Sequence, residues 1–319
     1  MYFTYEQPSF DVNDPSEIKR VIKEAYENGL EAAKSGKAAD YIPELAKADP
    51  NDFGICVIGA NGDQITFGEV EKRFSIQSIS KIINLAAALK FLGFRETFSH
   101  VGMEPSGDSF NSILKLDTVS DIPFNPMINA GAIQVVSMLS NIMDFYDLLG
   151  FAKELCMDED IKLNEAVYRS ESETGDRNRA IAYLLKSKGV LQGDPDVTLD
   201  LYFRMCSLNV NAKTLAKLGL ILSNRGQNPF NGKHTIHPGY VRTIKSLMFS
   251  CGMYDESGEF GVLVGIPSKS GVGGGIVSVV NDFCGIGTYG PSLNKKGNSA
   301  GGIAALQHIS HLLKLNTFE

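Results

Sequence analysis

Two bursts of strand-like sequence, one near each end of the chain, enclose a long stretch with helical periodicity. Phe53–Gly59 and Gln64–Val70 read as strands, and Asn61-Gly62-Asp63 between them is a hairpin turn sequence. From Ser78 to Phe249 apolar residues instead recur every three or four positions, as in INLAAALKFLG, INAGAIQVVSMLSNIM, RNRAIAYLLKSKG and NAKTLAKLGLILSNRG, and several of these runs stop at glycine. After Met253 the strand pattern returns in FGVLVGIP, GGIVSVVN and DFCGIGTYG. Strands placed this way share a sheet only if the chain leaves it and comes back. The pattern predicts an α/β protein of α+β type: an antiparallel sheet built from both ends, terminal helices packed on it, and a central helical lobe. The terminal helices are residues 15–35, with Ser16 as cap and Ser35-Gly36-Lys37 as stop, and residues 299–314. Residues 1–319 read as one domain, with a sheet lobe of about 1–77 and 250–319 and a helical lobe of about 78–249. The functional site is expected in the groove between the lobes.

Composition narrows the function classes. The chain is 43% hydrophobic and 21% charged, enough apolar material for a full core. Its net charge of -7 provides no basic excess for phosphates, which argues against nucleic acid. No apolar run approaches the roughly 18 residues that span a bilayer, so no membrane partner is expected. Residues 1–30 mix polar and apolar residues with Asp, Glu and Pro, unlike a signal peptide. Five scattered cysteines with no CxxC read as buried thiols of a reducing compartment, and the expected location is cytoplasmic.

Two short motifs carry the chemistry. Ser78-Ile79-Ser80-Lys81 places a serine and a lysine three apart, on one helical face, at the head of the apolar run INLAAALKFLG. A serine hydroxyl needs such a partner to act as a nucleophile, and a helix start favours developing negative charge. The same spacing occurs at Ser16–Lys19, Ser112–Lys115 and Ser292–Lys295, but only Ser78 follows a hairpin and opens a long apolar helix. The competing reading is a helix cap beside a solvated lysine. Lys269-Ser270-Gly271-Val272-Gly273-Gly274-Gly275 sits between strand-like runs, where glycines allow close approach and a backbone N–H can serve an oxyanion. Tyr41, Tyr202 and Tyr254 lie in or beside polar segments; a tyrosine acts as a base only if a neighbour such as an ammonium lowers its pKa. Gly285-Ile286-Gly287-Thr288-Tyr289-Gly290 matches GxGxxG, but Pro291 follows and no helix opens there, so it is not a dinucleotide loop. His234/His237 and His308/His311 lack further ligands nearby, and no metal or other cofactor is expected.

Taken together, the segments YIPELAKADPN (41–51), FSIQSISK (74–81), EPSGDSFNS (104–112), NPMINAGAI (125–133), SESETGDRNRA (170–180), MYDESGEFGVLVGIPSKSGVGGGI (253–276) and GNSAGG (297–302) resemble the serine-dependent glutaminases, a family with a β-lactamase-like fold. The resemblance runs in the family's order through nearly the whole chain. It implies hydrolysis of L-glutamine to L-glutamate and ammonia by a single catalytic domain without cofactors. Ser78 would be the nucleophile, Lys81 its activating partner and Tyr254 a partner in proton transfer. Substrate contacts would fall to Tyr41, Asn129, Glu171, Asn178, Tyr202 and Tyr254, and the N–H groups of Ser78 and Val272 would form the oxyanion hole. Glu173 is the alternative to Glu171. The resemblance also implies a homo-oligomer, a dimer or tetramer, of the short bacterial type without the ankyrin repeats of long animal members. Ser268 stands where the family pattern leads one to expect alanine. Ser78-x-x-Lys81, Ser207-Leu208-Asn209 and Lys269-Ser270-Gly271 also support a β-lactamase or penicillin-binding-type acyl-serine hydrolase. A non-catalytic amino-acid-binding protein on the same fold is a third reading.

Overall fold

The computed structural model describes residues 14–106 and 122–319. The Ser112–Lys115 pair and the segment after Ser106 in 104–112 lie outside the described residues. The first helix, α1 (Pro15–Ala33), starts at proline with Asp14 as its cap; the Asp14 side chain accepts from the Ser16 N–H. Ser16 is therefore not the cap. Proline suits the first helical position because it has no N–H to leave unsatisfied, and that shifts the cap to Asp14.

Both ends of the chain meet in one five-stranded antiparallel sheet, as the sequence pattern requires. Its order is β2 (Gln64–Gly68), β1 (Gly54–Gly59), β8 (Cys284–Tyr289), β7 (Gly275–Val280) and β6 (Ser268–Ser270). The β1–β2 hairpin closes at Asn61-Gly62-Asp63: Asn61 bonds both the side chain and the N–H of Asp63, and Gly62 takes φ +89°. The GxGxxG match lies within and just beyond β8. Ser268 faces Ser278 across the β6–β7 pair and their hydroxyls bond at 2.7 Å, which accounts for a serine there.

Helices cover the sheet on both faces. Val21, Ile22 and Ala25 of α1 pack with Ile55, Ile276 and Ile286 of the sheet and with Ala305, Leu306 and Ile309 of the last helix, α12 (Ala300–Leu313). The opposite face is covered by α9 (Ala212–Ser223). There the strand backbone must come close: a Cβ on Gly285 would lie 2.0 Å from the Ala216 carbonyl, and one on Gly287 the same distance from that of Ala212.

The middle of the chain is helical, and the fold has three features that the sequence pattern does not reveal. Its helices are α2 (Ser80–Phe91), α3 (Phe94–His100), α4 (Asn129–Leu139), α5 (Phe145–Cys156), α6 (Glu165–Thr174), α7 (Asp176–Ser187), α8 (Pro195–Cys206), α9 and α10 (Pro238–Cys251). First, β3 (Phe74–Ser75), β4 (Lys162–Leu163) and β5 (Leu208–Val210) form a second, three-stranded sheet; strands of two or three residues carry no readable period. Second, α9 belongs to the sheet's own packing. Third, FGVLVGIP is not a strand: Ser257–Leu263 form helix α11, and its Val262 stays exposed. A short apolar run fits a strand or a helix equally well, and here the turn at 254–256 decides.

Candidate active site

Ser78 lies at the centre of a 3-10 turn, Gln77–Ile79, that runs directly into α2. It thus lies two residues ahead of the α-helix. Gln77 holds φ +49°, an uncommon conformation for a non-glycine residue. The glycines of the 269–275 segment explain how the other side of the site closes. A Cβ on Gly271 would sit 2.7 Å from the Ile76 carbonyl, and one on Gly273 2.3 Å from that of Ser75. Only glycine lets the β6–β7 turn lie against the residues preceding Ser78. That contact brings Val272 to the site. Lys269 is within β6 itself rather than after a strand.

A cavity of about 300 Å³ opens over Ser78. Its wall includes Tyr41, Ser78, Asn129, Glu171, Asn178 and Tyr202. Six elements supply them, the 3-10 turn of Ser78 among them. The Tyr41 loop is tied to α6, because the Glu44 N–H donates to the Ser170 hydroxyl. Asn125 accepts from the N–H groups of Met127 and Ile128 and so fixes the turn that delivers Asn129 to the head of α4. Glu171 is on α6, Asn178 on α7 and Tyr202 on α8. The site is therefore enclosed mainly by helices and the 41–45 loop, with the sheet contributing the β6–β7 turn. Glu171 is 6% exposed and faces the cavity, whereas Glu173 is exposed to solvent.

Lys81 is buried, and its Nζ donates to the Met127 carbonyl at 3.1 Å and to Asn129 Oδ1 at 2.7 Å. Asn129 in turn donates to Asn178 Oδ1 at 3.0 Å. Burial pulls the Lys81 ammonium down to about 8, against the opposing pull of Cys206 and Glu171. Burial also pushes the Glu171 carboxyl up to about 7; a hydrogen bond from Gln77 Nε2, 3.2 Å away, and the charge of Lys81 limit the rise. Both groups thus titrate near neutrality.

Tyr254 lies behind Ser78, with the Ser78 side chain and the Val272 N–H against its hydroxyl. It packs with Val272 and Ile42 and holds φ +54°. The buried Lys269 Nζ lies 4.6 Å from its ring centroid and donates to the Ser270 carbonyl at 2.6 Å. A neighbouring ammonium does not lower this phenol: burial dominates and raises it above the usual tyrosine range. Tyr254 is thus a phenol that can relay a proton.

Gln77, Thr174, Arg177 and Cys206 also line the cavity, and the sequence motifs do not single them out. Gln77 directly precedes the nucleophile candidate, and Cys206 is one helical turn beyond Tyr202, the spacing that would have flagged it. Ser207 and Asn209 are not among the residues lining the cavity; Asn209 instead joins the small sheet and accepts from Asn164. All five cysteines are unpaired, four of them buried. Among the described residues no cluster of three or more His, Cys, Asp or Glu could hold a metal. His237 caps α10, and His308 contacts Asn28 and Glu24 of α1.

Comparisons with known proteins point to one family. A family model for glutaminases matches residues 36–318. The chain is 48% identical over 305 residues to glutaminase 2 of Clostridium perfringens (strain 13 / Type A), covering 94% of this chain and 100% of that protein. A solved structure of the probable glutaminase ybaS aligns with a TM-score of 0.91 at 34% identity, over 96% of this chain and 99% of that one. The Bacillus subtilis glutaminase YbgJ, in covalent complex with 5-oxo-L-norleucine formed from 6-diazo-5-oxo-L-norleucine, aligns with a TM-score of 0.84 at 35% identity, over 93% and 98% of the two chains. The chain belongs to the glutaminase family, whose structures have the β-lactamase-like fold.

Proposed function

We propose that the protein hydrolyses L-glutamine to L-glutamate and ammonia through an acyl-enzyme on Ser78. The observation that carries this reading is one cavity in which the buried carboxylate of Glu171 faces Ser78 and the Asn129–Asn178 amide pair. A free amino acid brings an ammonium, a carboxylate and a side-chain amide. Glu171 pairs the ammonium, and the amides with the hydroxyls of Tyr41 and Tyr202 take the polar remainder.

Lys81 acts as base in its neutral form. A neutral amine has two N–H bonds, and the two acceptors at Lys81 Nζ, Met127 O and Asn129 Oδ1, engage both. The lone pair is left for the Ser78 proton. Ser78 Oγ then bonds to the side-chain amide carbon, and the N–H groups of Ser78 and Val272 take the oxyanion, each worth about 3–4 kcal/mol. The C–N bond breaks as Lys81, directly or through the Tyr254 hydroxyl, returns the proton to the departing ammonia. Water adds to the ester, loses its proton by the same route, and Ser78 leaves with that proton.

Residues 1–319 act as a single catalytic domain, assembled as a homo-oligomer, a dimer or tetramer, in the cytoplasm. Among the described residues no helix is long and apolar enough to cross a membrane. A covalent relative was made with 6-diazo-5-oxo-L-norleucine, so the same reagent tests the nucleophile here. Peptide mapping after inactivation is expected to find one adduct, on Ser78. An adduct elsewhere, or turnover of a chromogenic β-lactam, would refute this reading in favour of another nucleophile or of the acyl-serine alternative.

A further inference from the structure

Behind Tyr254 a second group of polar residues converges without touching the substrate cavity. Met253, Tyr254, Asp255 and Glu256 form a tight turn between α10 and α11, and Tyr254 sits in it at a strained positive φ. Strain of that kind persists only where the surroundings over-determine it. The Glu256 carboxylate accepts from Asn294 Nδ2 at 2.9 Å and from Asn298 Nδ2 at 2.6 Å. A carboxylate only accepts, so both amides must present nitrogen to it. Asn298, fully buried, also donates to the Met253 carbonyl at 3.2 Å, one residue ahead of Tyr254. Ser257 completes the frame, accepting from the Met253 N–H and donating to the Tyr254 carbonyl. The 294–298 turn is rigid in its own right, since Asn294 Oδ1 accepts from the N–H groups of Lys296 and Asn298. Gly297 of this turn lies against the Tyr254 ring and the Val272 side chain: a Cβ there would be 3.9 Å from each.

We propose that Glu256, through Asn294 and Asn298, is a positioning residue that holds the Tyr254 hydroxyl and the Val272 N–H in register with Ser78. The clamp acts on the proton relay and the oxyanion donor, and it leaves the Glu171 end of the cavity alone. Its loss therefore lowers kcat and spares KM. This inference rests on the proposed role of Tyr254.

The test compares Glu256→Ala, Glu256→Gln, Asn294→Asp and Tyr254→Phe with the wild-type protein in steady-state ammonia release from glutamine, each assayed well below its own melting midpoint. Glu256→Ala is expected to lose about 30-fold or more in kcat with KM within about 3-fold, because a small misplacement of a reacting group is costly. Glu256→Gln keeps an accepting oxygen for both amides and is expected to retain at least about a third of kcat. Asn294→Asp keeps the turn acceptor but sets a carboxylate against Glu256. It is expected to lose about 5- to 10-fold in kcat at unchanged KM, and it decides the matter if Glu256→Ala does not fold. Near-normal kcat in Glu256→Ala, a parallel rise in KM, or a Gln variant as impaired as Ala would overturn the clamp. Full activity of Tyr254→Phe would instead overturn the role of Tyr254 on which the clamp depends.

Discussion

At the residue scale, two buried ionisable groups, Lys81 and Glu171, feel each other's charge. Ser78, Lys81 and Glu171 could be singled out from spacing and resemblance, and of the two glutamates it is Glu171 that lines the cavity while Glu173 is exposed. Their energetics could not be read from sequence, because burial sets them. Glu171 and Lys81 must both be unprotonated for the proposed reaction, and they titrate at about 7 and about 8. The kcat/KM profile for glutamine should therefore climb steeply from pH 6 to 8, and a flat profile there would contradict these assignments. The stability of the fold carries the opposite sign at Glu171. The native state holds that proton up to about pH 7 and the unfolded chain only to its ordinary value of 4.5, so the associated stability is lost as pH rises between them. Glu171→Gln removes the effect. Its melting temperature should gain on wild type by a few degrees between pH 5 and 7.5, while its KM rises at least about 10-fold because the substrate ammonium loses its partner. A pH-independent melting difference would show that Glu171 is not buried as a charge.

Single elements show where sequence patterning succeeds and where it stops. The hairpin at 61–63 and the long helices could be read directly, since turn chemistry and period act locally. The α11 helix and the three minor strands could not, because runs this short carry no period that tells a helix from a strand. The glycines of the 269–275 segment fall between: their flexibility is visible in sequence, but their contact with Ser75 and Ile76 is not. That contact makes a sharp prediction. Gly273→Ala puts a methyl 2.3 Å from the Ser75 carbonyl, so the turn must retreat from Ser78. Steady-state kinetics should show at least a 10-fold loss of kcat, alongside about 1–3 kcal/mol of destabilisation in urea unfolding. Unchanged kinetics in a folded variant would mean that the β6–β7 turn does not shape the oxyanion site.

Over the whole molecule, the sequence pattern indicated a sheet built from both ends but not how the central helices join it. The α9 helix, from the middle of the chain, packs on the sheet, and the β6–β7 turn, from the end of the chain, meets the residues before α2. Such interleaving favours one cooperative unit. Far-ultraviolet circular dichroism and tyrosine fluorescence (the chain has no tryptophan) should report a single coincident unfolding transition. Two separated transitions would mean that the sheet and helical parts fold independently. The proposed reaction joins Ser78 to glutamine. Ammonia release from L-glutamine, with L-asparagine in parallel and Ser78→Ala as control, tests it most directly. Release is expected from glutamine alone, with at least a 100-fold loss in the variant while glutamine still binds. A Ser78→Ala protein that keeps more than about a hundredth of wild-type activity would contradict it.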